Sequence, residues 1–165
     1  MWQTPGMGLG RTTRFAPLPA GARRVSVMRA GAGGIKALAP SAELLAEFQD
    51  RKRALGRAGT TTEAAHAEAH RNMDYRARYL DEIRARPGAL DALRTLLAEA
   101  RSADVYLMCM CPYRTPERAC HTYALLDLAR ELDPSLRELP EPTPRSAQVP
   151  TPGTPGRARR RPPSR

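Results

Sequence analysis

Residues 104–121 read DVYLMCMCPYRTPERACH, and this stretch decides the fold class. Asp104 to Met110 is a continuous apolar run of strand length. Continuous rather than alternating apolarity suits a strand buried on both faces, as in a parallel sheet covered by helices. Cys111-Pro112 ends the run. Thr115-Pro116-Glu117 then predicts a helix start, with a hydroxyl cap, proline at the first helical position and an acid next. That helix is expected to run to about Leu132 and stop before Pro134.

Working outward, Arg23 to Arg29 (RRVSVMR) alternates at Val25 and Val27 and predicts a second short strand. Ser41 is an N-cap candidate for a helix burying Leu44, Leu45, Phe48 and Leu55, with Glu43 at the positive end of its dipole. Thr60 to Glu63 spells a capping box for a helix whose later part carries Tyr75, Tyr79, Leu80 and Ile83 and ends at Pro87-Gly88. Leu90, Leu93, Leu96 and Leu97 define a third amphipathic face. Strands separated by helices, without hairpin signals, predict a small layered α/β domain with a mostly parallel short sheet flanked by helices. Two strands are too few for a sheet, so further strands are expected within 1–20 or 134–139.

The 165 residues support one domain, expected over 1–139. Eight of the sixteen prolines lie between Pro140 and Pro163, and six arginines there face one acid, Glu141. Residues 140–165 therefore read as a disordered Pro/Arg-rich tail. Net charge is +10, yet only Lys36 and Lys52 of 27 basic residues are lysine, a bias that a GC-rich genome also produces. No stretch of about 18 apolar residues exists, which excludes an apolar helical membrane span. Arg11, Arg14, Arg23, Arg24 and Arg29 precede the first acid, Glu43, as in a transit peptide, but Pro5, Pro17 and Pro19 break the helix such a peptide needs. Three cysteines make no closed disulfide set, so a reducing, cytoplasmic setting is expected.

The chemistry concentrates in Cys109, Cys111, Cys120 and His121, where a strand feeds a helix. Ligands of α/β sheets bind at the carboxyl ends of strands, beside helix N-termini that favour thiolates and anions. Arg114, Thr115 and Arg118 add positive charge and a hydroxyl nearby. Three readings stand open. Cys109 or Cys120 is a reactive thiolate with His121 as proton acceptor, acting on a small anionic ligand or nucleotide. Alternatively Cys109, Cys111 and Cys120, with or without a histidine, bind zinc in a structural or interaction module, although C-x-C-x8-C-H lacks the usual knuckle and adjacent Cys120 and His121 point about 100° apart on a helix. In the third, the segment is an anion-binding loop whose cysteines only pack; Cys109 then reads as core, and His121 shares a helix face with Leu125 and Leu128. The Arg-rich tail offers a separate function, non-specific nucleic-acid binding.

His66-Ala67-Glu68 matches the H-x-E of zinc deaminases, but the P-C-x-x-C half of that signature is missing. His66 and His70 stand one turn apart as a metal pair would, yet in an Ala-rich stretch they read as exposed helix side chains.

IKALAPSAELLAEF (35–48), YRARYLDEIRARP (75–87) and VYLMCMC…CHTYALLDLA (105–129) together resemble the domain of unknown function 488 family, most strongly over 23–132. That family carries an A-P-S-x-x-L helix entry, an R-Y-L-x-E helix, a strand ending in Cys, then an acid and a later Cys-His-Arg. The resemblance implies site roles for Cys109, Cys120 and His121, and ligand contacts from Arg78 and Tyr79 of the middle motif. Thr122 stands where the family usually has Arg, and Cys111 stands near the usual acid. These departures imply that any role of that acid and arginine is lost or replaced here. The family has no established activity.

Overall fold

The computed structural model describes residues 7–145. Strands β1 (Gly8–Thr13), β2 (Arg23–Ser26) and β3 (Asp104–Cys109) form a parallel sheet in the order β1-β3-β2. β3 is central, pairing with β1 from Gly8↔Asp104 to Thr13↔Cys109 and with β2 from Arg23↔Val105 to Ser26↔Met108. Five helices complete the fold: α1 (Ala42–Arg57), α2 (Thr62–Asn72), α3 (Tyr75–Ala85), α4 (Ala89–Ala100) and α5 (His121–Leu132). The α/β class and the parallel sheet read from residues 104–110 are thus what the chain forms. No helix among the described residues is long and apolar enough to cross a membrane.

The missing strand is β1, within the expected 1–20. Residues 137–139 lie along its free edge: Leu9 N–H donates to Arg137 O (3.1 Å), and Leu139 N–H donates to Leu9 O (3.0 Å). Glycine is required at Gly8, because a Cβ there would sit 2.5 Å from Arg137 O. One core unites Leu9, Val25, Val27, Val105 and Leu107 of the sheet region with Leu93 and Leu96 of α4 and Leu125 and Leu128 of α5. Tyr79 and Ile83 of α3 close it from the side.

Three boundaries differ from expectation. The helix read from Thr60 to Pro87 is two helices, because Asp74 is left-handed (φ 53°), a conformation that Asp tolerates better than most residues. The first of them is capped by Thr61, one residue late, whose Oγ1 accepts from Ala64 N–H. Thr115-Pro116-Glu117 does not begin the long helix. It opens a 3-10 turn, Pro116–Arg118, that ends with Glu117 and Arg118 left-handed, and α5 starts only at His121. Within the stretch read as tail, Glu141 pairs with Arg11 and accepts from the Tyr123 hydroxyl. The remainder of the expected tail, 146–165, lies outside the described residues.

Gly8→Ala is expected to destabilise the chain by about 1–3 kcal/mol through this overpacking. Gly56→Ala, in α1, would place its methyl group with nothing within 4 Å and should stabilise by about 0.5–1 kcal/mol. Urea unfolding of the two variants beside wild type measures both signs.

Candidate functional site

β3 delivers Cys109 to the carboxyl end of the sheet, and the chain leaves through Met110, 57% exposed, and half-buried Cys111. It returns through three left-handed non-glycine residues, Arg114, Glu117 and Arg118. Such conformations cost about 1–3 kcal/mol each and persist only where surrounding contacts enforce them. Arg11 supplies that enforcement. Its side chain is 1% exposed. Its Nη2 donates to Cys111 O (3.1 Å) and Pro112 O (2.9 Å), its Nε donates to Thr122 Oγ1 (3.0 Å), and Nη1 pairs with Glu141. Thr115 Oγ1 donates to Pro112 O (2.7 Å) and tightens the same turn.

Cys120 is the N-cap of α5, with extended backbone (φ −151°, ψ 144°). Because it is not yet helical, the 100° divergence expected between Cys120 and His121 does not apply. His121 Nδ1 lies 3.8 Å from Cys109 Sγ and 3.9 Å from Cys120 Sγ. Cys109 Sγ lies 3.5 Å from Cys111 Sγ, and all three sulfurs fall within 4.8 Å of one another. None is in a disulfide. On its other side His121 Nε2 is 2.9 Å from Val27 O. A carbonyl only accepts, so Nε2 carries a proton; Nδ1, facing the sulfurs, offers a lone pair in the neutral ring and a second N–H in the charged one.

The electrostatics of this group are collective. Burial opposes charge on His121, yet the Cys109 and Cys120 sulfurs beside it raise it well above the usual imidazole range. Burial likewise opposes a thiolate at Cys120, but the Cys109 and Cys111 thiols and the His121 ring lower it well below the usual thiol range. Hydrogen bonding with Cys109 and Cys120, and then burial, raises Cys111. The cluster favours one negative sulfur held by its neighbours and faced by a ring able to carry positive charge.

These sulfurs and His121 line one side of a cavity of about 320 Å³. The helical side carries Phe48, Lys52, His66, His70 and Tyr75, and Arg29 joins it from the loop after β2. His66 is buried, not exposed as the Ala-rich stretch implied, and its Nε2 lies 2.6 Å from Ala119 O. His70 stacks on Tyr75, ring centroids 4.8 Å apart. The nitrogens His66 Nδ1 and His70 Nε2 are buried without a hydrogen-bond partner. Sequence reasoning noticed the i, i+4 spacing of these histidines but not their direction, which depends on how α2 packs on α1 and α3.

The expected ligand residues divide. Cys109, Cys111, Cys120 and His121 come together, whereas the basic residues read beside them do not line this cavity. Arg118 lies over the Tyr123 ring (4.4 Å) and pairs with Asp127, and Arg114 lies over Tyr113 (5.2 Å). Arg78 is an exposed partner of Glu47. Tyr79 is fully buried, with its hydroxyl donating to Leu38 O (2.6 Å) and its ring edge-on to His121 (5.4 Å). Thr115 serves the Arg11 turn.

Compared with known families, the chain matches DUF488-N3a, described as the active DUF488-N3 subclade, over residues 18–132. It belongs to the DUF488 family. No curated protein and no solved structure matches it. The span matched to DUF488 contains every cavity residue named above, while Arg11 and Glu141 lie beyond its two ends.

Two outcomes test this geometry in the DUF488 chain. Arg11→Met leaves Glu141 without its charge partner and takes a donor from two loop carbonyls, and should destabilise by about 3–5 kcal/mol; Glu141→Gln, still able to accept, should cost less in the same urea titration. Burial lowers His70 to about 4, from an ordinary value near 6.5. The unfolded chain therefore binds the proton first, so the His70 contribution is complete above about 6.5 and is lost as pH falls toward 4. A His70→Phe variant should show a smaller fall in unfolding midpoint between pH 7 and pH 5 than wild type.

Proposed function

We propose that Cys109, Cys111 and Cys120 hold one zinc ion at the floor of a small-ligand cavity, making this DUF488 chain a zinc-centred domain that takes up an anionic ligand. The observation that carries the reading is the closeness of the three sulfurs, all within 4.8 Å of one another. Tetrahedral zinc with Zn–S about 2.3 Å and Zn–N about 2.0–2.1 Å has sulfur–sulfur edges near 3.8 Å and sulfur–nitrogen edges near 3.6 Å. The protein has 3.5 Å for Cys109–Cys111, and His121 Nδ1 stands beside two of the three sulfurs, at 3.8 and 3.9 Å, as their neighbour rather than as a fourth member of the group. The hydrogen bond to Val27 O fixes the tautomer of His121 beside two of these sulfurs. An anionic ligand is favoured by Arg29 and Lys52 on the cavity wall, which make no ion pair among the described residues. The description of the matched subclade as active agrees with a working site rather than a packing cluster.

The same tautomer supports a second reading. Without a metal, His121 Nδ1 is aimed to take a thiol proton from Cys109 or Cys120, leaving a thiolate against the cavity. Under this reading the chain performs thiol-dependent chemistry on its anionic ligand.

Elemental analysis of untagged protein purified without chelator, with thiols titrated in parallel, separates the two. The zinc reading expects about one zinc per chain, protected thiols, and loss of metal in Cys120→Ser. Chelation should lower the melting midpoint by at least about 5 °C, the shift produced by losing roughly 2 kcal/mol in a chain of this size. Metal-free protein with one thiol reacting much faster than the others near neutral pH would replace zinc with the thiolate reading.

A further inference from the structure

The zinc centre leaves the helical wall of the cavity without a role, yet that wall carries the least satisfied polar atoms of the described chain. His66 Nδ1 and His70 Nε2 are the buried side-chain nitrogens with no hydrogen-bond partner there. A buried polar group left unpaired costs about 1–3 kcal/mol, so two within one cavity call for a partner from outside the chain. The chemistry of that partner follows from the atoms. His66 gives its Nε2 proton to Ala119 O, so Nδ1 is an acceptor and needs a ligand N–H or O–H. Burial lowers both imidazoles, which keeps them neutral at pH 7 and leaves this acceptor free.

Around these nitrogens the wall is aromatic. Phe48 meets His66 edge-on at 5.0 Å and Tyr75 at 5.3 Å, and His70 stacks on Tyr75. Flat rings bind well against such surfaces. Lys52 and Arg29, on the same cavity, offer cationic donors that no described carboxylate occupies. A volume of about 320 Å³ stands at the small end of ligand pockets. The ligand must therefore be compact, with a flat ring bearing an N–H donor and an attached anion.

We propose that this wall binds a nucleoside monophosphate, its base donating to His66 Nδ1 against Phe48, His70 and Tyr75, and its phosphate meeting Lys52 and Arg29. The inference deepens the anionic-ligand part of the proposed function and rests on that cavity, but not on the zinc.

The test is calorimetric titration of the full chain with AMP, GMP, CMP and UMP, with adenosine, ribose 5-phosphate and inorganic phosphate as truncated probes. Zinc content is measured on every sample. At least one nucleotide should bind at least about tenfold more tightly than each truncated probe, the ratio that one hydrogen bond to a charged group produces. Lys52→Ala and Arg29→Ala should each weaken that nucleotide about tenfold without changing melting midpoint at pH 7.5 or metal content. Long-range ¹H–¹⁵N spectra of the imidazoles should show the unprotonated His66 nitrogen shifting on saturation, a response that a merely structural histidine does not give. Failure of all four nucleotides to bind, phosphate binding as well as they do, or unchanged affinity in both variants would overturn the proposal. Zinc-loaded protein that ignores nucleotides sinks this inference alone; metal-free protein that binds one through His66 sinks only the zinc reading.

Discussion

A guanidinium buried in the sheet holds the site together. Arg11 enters from β1, an edge strand, and reaches the carbonyls of Cys111 and Pro112, the hydroxyl of Thr122 and the carboxylate of Glu141. Its ring contact with Tyr123 (4.7 Å) covers another face. Burial by itself disfavours the charge, but nearby Cys120 and Glu141 hold it in place. An ion of this kind seldom adds much net stability, because desolvation offsets the Coulombic gain. What it supplies is position. The planar fork can satisfy these acceptors only when the loop after β3, the first turn of α5 and the segment after Leu139 are correctly placed.

That placement explains the sulfur cluster. Cys109 arrives on a strand whose register is set by pairing on both sides, so its location is rigid. Cys111 and Cys120 arrive on irregular backbone, which Arg11 pins at Cys111 and Pro112 on one side and at Thr122 on the other. The sulfur cluster thus combines one rigid element with two restrained ones. His121 completes it from the first residue of α5 while bonded to Val27 O beyond β2. All three strands therefore contribute to one end of the sheet, where α/β folds place their ligands. Where the family pattern has an arginine, Thr122 stands, and its hydroxyl accepts from Arg11 instead.

Much of this was legible in the sequence, for identifiable reasons. The run 104–110 marked the central strand because every residue there except Asp104 is apolar, and Ser41 and Leu93 to Leu97 marked helices whose capping and periodicity are local properties. The four residues of the sulfur cluster were legible because the strand end and the Cys-His pair bracket one loop. β1 was not. Its sequence GLGRTT has two glycines that make room for residues 137–139 and Tyr106, and an arginine buried by partners as distant as Glu141. Such a strand carries no hydrophobic period, since its fit depends on neighbours remote in the chain. The same holds for His66 and His70: alanine neighbours made them look solvated, and only the packing of α2 turns them into the cavity.

The two places where local helix signals misled share one physical feature. At Asp74 a left-handed residue ends α2, whose last turns carry His66 and His70, and restarts the chain as α3 with Tyr75. At Glu117 and Arg118 two left-handed residues delay α5 until Cys120 can cap it in extended conformation. A continuous helix through Asp74 would carry Tyr75 about 100° further round the axis with each residue, without the redirection that stacks it on His70. A helix begun at Pro116 would place Cys120 within its second turn, its side chain directed by helical geometry away from that of His121. In both cases strained backbone, costing about 1–3 kcal/mol per residue, brings a side chain to the same cavity from opposite walls. Strain gathered on both sides of one cavity, with unpaired nitrogens on one wall and clustered sulfurs on the other, is what a site built for an occupant requires and a packed core does not.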